Sequence, residues 1–188
     1  MRLTRTFDFS SFTLLLFVES DFARQLLNDM CRSLHVKAVI SKRDYASAWS
    51  AFKSNPIDIV IGDINCEHGL QFLKDARNIE KSPNALVPFI VTSIKSSIDC
   101  VASARDSGAT EFLKLPLSAM TLLERIIYVV EHPRVFVRVS GFFGPDRRRQ
   151  QREFKGADRR QPPPSAPDTN ASESISGEVS AKNERIAT

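Results

Sequence analysis

Apolar and polar positions change rhythm repeatedly between Phe12 and Val130, switching from short continuous runs to helical spacing and back. "FTLLLFV", Phe12 to Val18, is a continuous apolar run of the kind a strand covered on both faces requires. Phe22, Leu26, Leu27, Met30, Cys31 and Leu34 then recur at helical spacing and predict a first helix with these residues toward the core. "VKAVI" predicts a second strand, and Asp44 caps a second helix that buries Tyr45, Ala48, Trp49 and Phe52. "IDIVIGD" and "GLQFLKDARNI" form the third pair, and "VPFIVTS" with "SIDCVASARDSGA" the fourth, the latter helix ending near Gly108. "TEFLKL" is a fifth strand, and Ser118 caps a last helix carrying Leu122, Leu123, Ile126, Ile127 and Val130. Strands alternating with helices predict an α/β fold on a mostly parallel sheet.

After "EHP" the patterning stops, which divides the chain into a domain over 12–131, a basic Arg-rich extension over 132–161 and a tail over 162–188. The tail is poor in large apolar residues, a composition that predicts disorder. Charge follows the same division: Lys/Arg and Asp/Glu balance at 15 each over 1–131, whereas 132–160 holds nine basic against three acidic residues. The net charge of +4 therefore belongs to one short segment behind a neutral domain. Within it, Gly144-Pro145-Asp146-Arg147-Arg148 returns as Gly156-Ala157-Asp158-Arg159-Arg160.

The N-terminal apolar run stops at Glu19 with no small-residue cleavage site, so a buried strand is expected rather than a signal peptide. No apolar stretch approaches the roughly 20 residues of a membrane span. Cys31, Cys66 and Cys100 are odd in number and widely spaced, which fits a reducing cytoplasm and no disulfide framework. Cys66 and His68 flank one loop without further partners and predict no zinc site. The chain has no P-loop, no GxGxxG after the first strand, no GxSxG elbow and no paired-His motif, so no enzyme of those classes is expected.

In an open parallel sheet, ligands collect beyond the C-terminal ends of the strands. That rule selects Glu19, Ser20 and Asp21, then Asp63, then Thr92 and Ser93, then Lys114, Leu115 and Pro116. Asp63 directly follows "IVIG", so a carboxylate is presented at the mouth of the sheet beside the acids of the first strand. Converging carboxylates repel unless a cation lies between them, and oxygen-only ligation favours Mg²⁺.

"LLLFVESD", "DIVIGDIN", "VPFIVTS" and "GATEFLKLP", in that order, resemble the receiver domain of two-component response regulators. The resemblance covers about residues 12–131 and implies a CheY-like, flavodoxin-like doubly wound sheet of five parallel strands, order 2-1-3-4-5, with helices on both faces. The ending "FFGPDRRR" is similar to that of stand-alone bacterial receivers that carry a short Arg-rich tail in place of a DNA-binding domain. In such receivers the aspartate after the third strand accepts a phosphoryl group from a histidine kinase, a phosphotransfer protein or a small donor, and Asp63 matches it. The resemblance further implies Mg²⁺ held by Glu19, Asp63, the carbonyl of Asn65 and, one place late, Asp21. It implies a phosphoryl-binding hydroxyl at Ser93, or Thr92 if the strand is shorter, and an inward-turning aromatic switch at Phe112. Its output would be a protein bound on the fourth-helix, fifth-strand, fifth-helix face.

The departures are specific. The family's lysine directly precedes a proline, and that position is Leu115; Lys114 lies one residue away and so on the opposite face. "DINCEHGL" is shorter than the usual loop by about two residues. Each lost charge-assisted contact is worth about 1.5 to 3 kcal/mol, so phosphorylation is expected to be slow, labile or absent and the receiver divergent. Arg147, Arg148, Arg149 and Arg152 offer guanidinium groups that could grip nucleic acid or a cyclic dinucleotide, against the blander expectations of a solvated tail or docking on a protein, the receiver included.

Overall fold

The computed structural model describes residues 7–66, 68–139 and 141–146. The apolar runs become β1 (Thr13–Phe17), β2 (Ala38–Lys42), β3 (Ile59–Asp63), β4 (Phe89–Ser93) and β5 (Glu111–Lys114), paired in parallel in the order β2-β1-β3-β4-β5. β1, β3 and β4 are buried along their whole length because helices cover both faces. α1 (Asp21–Arg32) and α5 (Ala119–Glu131) lie on one side, with Leu27, Cys31, Leu122 and Ile126 packed on Leu14, Leu16, Ile61 and Ile90. α2 (Tyr45–Ser54), α3 (Gly69–Arg77) and α4 (Ile98–Asp106) cover the other, with Phe52, Phe72, Leu73 and Ala104 on Phe17, Val60, Phe89 and Val91.

Four helices start on a side-chain cap. Ser20, Asp44, Ser97 and Ser118 accept from the backbone N–H of Ala23, Ser47, Cys100 and Thr121 respectively. Each such cap contributes about 1 kcal/mol and fixes where the chain turns after a strand. α4 stops before Gly108, whose φ of +94° is the left-handed conformation a helix exit favours.

Three expectations need correction. Phe22 and Leu26 are 80% and 38% exposed, because the core-facing stripe of α1 runs through Ala23, Leu27, Met30 and Cys31, one residue round the helix, with Leu34 packing just beyond its end. β2 begins at Ala38 rather than Val36, since an edge strand that is only half-buried accommodates Ser41 and Lys42.

The third correction concerns the extension, where patterning continues past "EHP". β6 (Phe136–Val139) and β7 (Phe142–Pro145) form an antiparallel hairpin, closed by Asp146 N–H donating to Val135 O at 2.7 Å. The hairpin is seated on the domain around Arg77, which is 4% exposed. The Arg77 guanidinium donates to the carbonyls of Gly108, Ala85 and Val87 at 2.8, 2.9 and 2.7 Å, and its face is met by the Phe136 ring. Arg134 donates to Glu111 Oε1 at 2.9 Å. A Cβ on Gly144 would stand 3.0 Å from Gly108 Cα, so a glycine at 144 is what lets β7 approach.

Candidate functional site

The C-terminal ends of β1, β3, β4 and β5 meet at one edge of the sheet, and Asp63 is the last residue of β3. It is 7% exposed. Its Oδ1 accepts two hydrogen bonds from Asn65, one from the backbone N–H and one from Nδ2, both at 2.8 Å. The first closes an Asx-turn and the second chelates the same oxygen, so a single neighbour satisfies it twice. The other face of the Asn65 amide meets β4: Ser93 Oγ lies 3.1 Å from Asn65 Oδ1 and 2.6 Å from Lys95 O, sharing one hydroxyl proton between them, and accepts from Lys95 N–H at 3.0 Å.

The short loop after Asp63 is drawn tightly onto the strand. Cys66 Sγ donates to Asp63 O at 2.9 Å, and a Cβ at Gly69 would fall 2.0 Å from that same carbonyl. The first residue of α3 thus rests on the Asp63 main chain, an approach open only to glycine. Burial pushes the Cys66 thiol up to about 11, with the negative charges of Asp63 and Glu19 adding to it. Glu19, an exposed residue, lines a cavity of about 410 Å³ with Phe17, Arg43, Cys66 and His68.

The other residues selected from the sequence separate. Asp21 is ion-paired with Arg24, whose hydrogen bond and positive charge hold its carboxyl below the usual range. Asp21 lines a different groove, with Asn28 and Ser41. Ser20 is engaged as the cap of α1. Thr92 and Ser93 are both fully buried, but Thr92 donates to Gly62 O at 3.3 Å, so the hydroxyl brought to Asn65 is that of Ser93. Phe112 is half-buried against the α2, α3, α4 side of the core. Lys114 is exposed, while Leu115, just before Pro116, is 9% exposed and donates its N–H to Ser93 O at 2.7 Å. Arg147, Arg148, Arg149 and Arg152 lie outside the described residues.

Mg²⁺ requires several oxygen ligands converging in near-octahedral geometry. One oxygen of Asp63 is already taken by Asn65, Asp21 is turned to Arg24 and Ser20 is a helix cap. Among the described residues no group of three or more His, Cys, Asp or Glu could hold a metal ion. Of the cation ligands expected from the sequence, Asp21 and one oxygen of Asp63 are thus engaged within the protein.

Sequence reasoning missed the Asn65 amide, having assigned that residue only a carbonyl, and missed Arg77. An asparagine two places after an aspartate is itself an Asx-turn signal. Arg77 leaves no such trace, because its acceptors are carbonyls remote in sequence.

The fold has many solved counterparts. A Vibrio cholerae chemotaxis protein, CheY4, superposes with a TM-score of 0.58 at 21% identity, covering 63% of this chain and 98% of that one. A response regulator from Thermotoga maritima gives a TM-score of 0.57 at 20% identity over 65% and 99% of the two chains. A putative response regulator from Chloroflexus aurantiacus gives 0.59 at 19% identity over 65% and 99%. No family model and no curated protein matches the chain. The chain has the fold of CheY-like receiver domains.

Proposed function

We propose that this chain is a divergent receiver of a signalling system, acting in the cytoplasm by binding a protein partner without relying on phosphoryl transfer to Asp63. The observation that carries this reading is the state of Asp63, whose Oδ1 accepts two hydrogen bonds from Asn65. Leu115 adds to it, since an apolar side chain stands where a cation would neutralise an incoming phosphoryl group. With fewer charges to stabilise the transferred group, the barrier to transfer rises for any phosphodonor, a histidine kinase or phosphotransfer protein included.

The partner surface of this reading is the face of α4, β5 and α5. Ile94, Ile98 and Val101 are 68%, 87% and 37% exposed, and Ile98 and Val101 share one side of α4. Met120, at the start of α5, is also exposed. Exposed apolar groups on one helix side, as at Ile98 and Val101, are the ones a protein partner would cover.

Incubation with Mg²⁺ and acetyl phosphate, read by intact mass, tests the proposal. The expected result is no added phosphoryl group and no spectral response to beryllofluoride. Stoichiometric labelling that disappears in Asp63→Asn would overturn it.

A further inference from the structure

The geometry points to Asn65 as a built-in ligand of Asp63, so that this edge of the sheet is a closed latch joining the β3–α3 turn to the β4–α4 loop. The inference rests on the reading just proposed and gives the reason for it: what a cation and an anion would do from outside, one side-chain amide does from within.

Three observations support the latch independently of the missing lysine. Both Asn65 donors converge on one oxygen at 2.8 Å, which fixes the carboxylate plane as well as its position. Cys66 donates to the Asp63 main-chain carbonyl and Gly69 packs closely against it, so the backbone that carries the carboxylate is held in the same turn. Finally, the Asn65 amide is bipolar: its N–H side donates to Asp63 while its Oδ1 meets Ser93 Oγ at 3.1 Å. Ser93 in turn accepts from Lys95 N–H at 3.0 Å, at the entrance to the segment that carries Ile94 and Ile98. A chain of hydrogen bonds therefore runs from the end of β3 to the β4–α4 loop.

An open acid pocket and a latch respond with opposite sign to loss of the aspartate. Where acids merely repel, deleting one relieves strain and stabilises the fold. Where the aspartate anchors two charge-assisted bonds, deleting it destabilises.

Urea unfolding of the full chain, with Asp63→Ala, Asn65→Ala and the double variant, reads this sign. The expected outcome is that Asp63→Ala raises the unfolding constant by about tenfold or more, and that the two substitutions couple by about tenfold. An increase in stability on Asp63→Ala, or additive single effects, would overturn the latch. Should Asp63→Ala not fold, Asn65→Ala, which alters an exposed side chain, must still speed hydrogen exchange of the Lys95 amide by several-fold; an unchanged rate would overturn the latch. The two proposals fail separately. Phosphoryl uptake by a protein that Asp63→Ala destabilises, with coupling intact, defeats phosphorylation-independent action and leaves the latch standing. Stabilisation by Asp63→Ala without uptake defeats the latch alone.

Discussion

The guanidinium carbon of Arg77 lies 5.1 Å from the centre of the Phe136 ring, which joins the last turn of α3 to a strand 59 residues later in the chain. Through this contact the C-terminal hairpin becomes part of the domain, with the buried arginine as the shared hub. Burial pulls the Arg77 guanidinium down to about 9, still charged at neutral pH, and its carbonyl partners compensate for its removal from water.

Arg77→Ala leaves the carbonyls of Gly108 and Val87 without their donor and opens a cavity beneath Phe136. We expect a loss of about 3 kcal/mol in urea unfolding. Phe136→Ala keeps the arginine bonds and is expected to cost less than Arg77→Ala.

Two truncations isolate the contribution of the hairpin. A chain ending at Asp146 retains Arg134 on Glu111, Phe136 on Arg77 and Gly144 on Gly108, whereas a chain ending at Pro133 loses all three. The shorter chain is expected to be less stable than the longer one by about 2 kcal/mol, measured as the difference in urea midpoint at equal slope. Equal midpoints would show that the hairpin contributes nothing to the domain.

Gly69→Ala places a methyl group where Asp63 O stands, 2.0 Å away, and the neighbour is backbone. Overpacking of this kind costs about 1 to 3 kcal/mol. The same substitution should loosen the turn after Asp63, visible as faster exchange of the Asn65 amide.

Tyr45 and Asp75 form one pair that makes stability depend on pH in both directions. Burial, followed by the hydrogen bond to Asp75, pushes the Tyr45 phenol up to about 12. A raised acid contributes stability below its unfolded value near 10, which is lost as pH rises through 12. Burial pushes the Asp75 carboxyl up, but bonds from Gln71, Tyr45 and Lys81 outweigh it, and the net direction is down from 3.8. That contribution is present above 3.8 and is lost as pH falls through the depressed value. Tyr45→Phe should therefore reduce stability at neutral pH and flatten the alkaline limb of the urea-midpoint profile; an unchanged limb would count against the pairing.

Exchanging Lys114→Leu with Leu115→Lys brings a cation to the buried position before Pro116. Alone it is expected to give no phosphoryl uptake from acetyl phosphate, because Asn65 still occupies Asp63. Combined with Asn65→Ala it should give a measurable mass gain, since both obstacles are then removed.

Much of this protein was determined by the order of residues alone. Largely apolar runs such as residues 14–18 and 89–91 suit strands covered on two faces, and the intervening helical stripes supply that cover. Strand alternation likewise separates Lys114 from Leu115, since a shift of one residue is a change of face. Those features arise from local burial periodicity, and they set where Asp63 would stand.

The tertiary structure decided which polar groups meet. Whether Ser93 or Thr92 faces the site depended on the register of β4 with β3, which pairs Asp63 with Thr92 and leaves Ser93 one step further out. The grip of Asn65 on Asp63 depended on how tightly α3 closes over Gly69, and the burial of Arg77 on carbonyls at 85, 87 and 108 that only chain reversal brings together. The rotation of α1 that exposes Phe22 depended on the sheet it packs against. Apolar periodicity is a one-dimensional signal because burial averages over many neighbours. A hydrogen bond has one partner and a direction, and those are set by loops that fold back from remote parts of the chain.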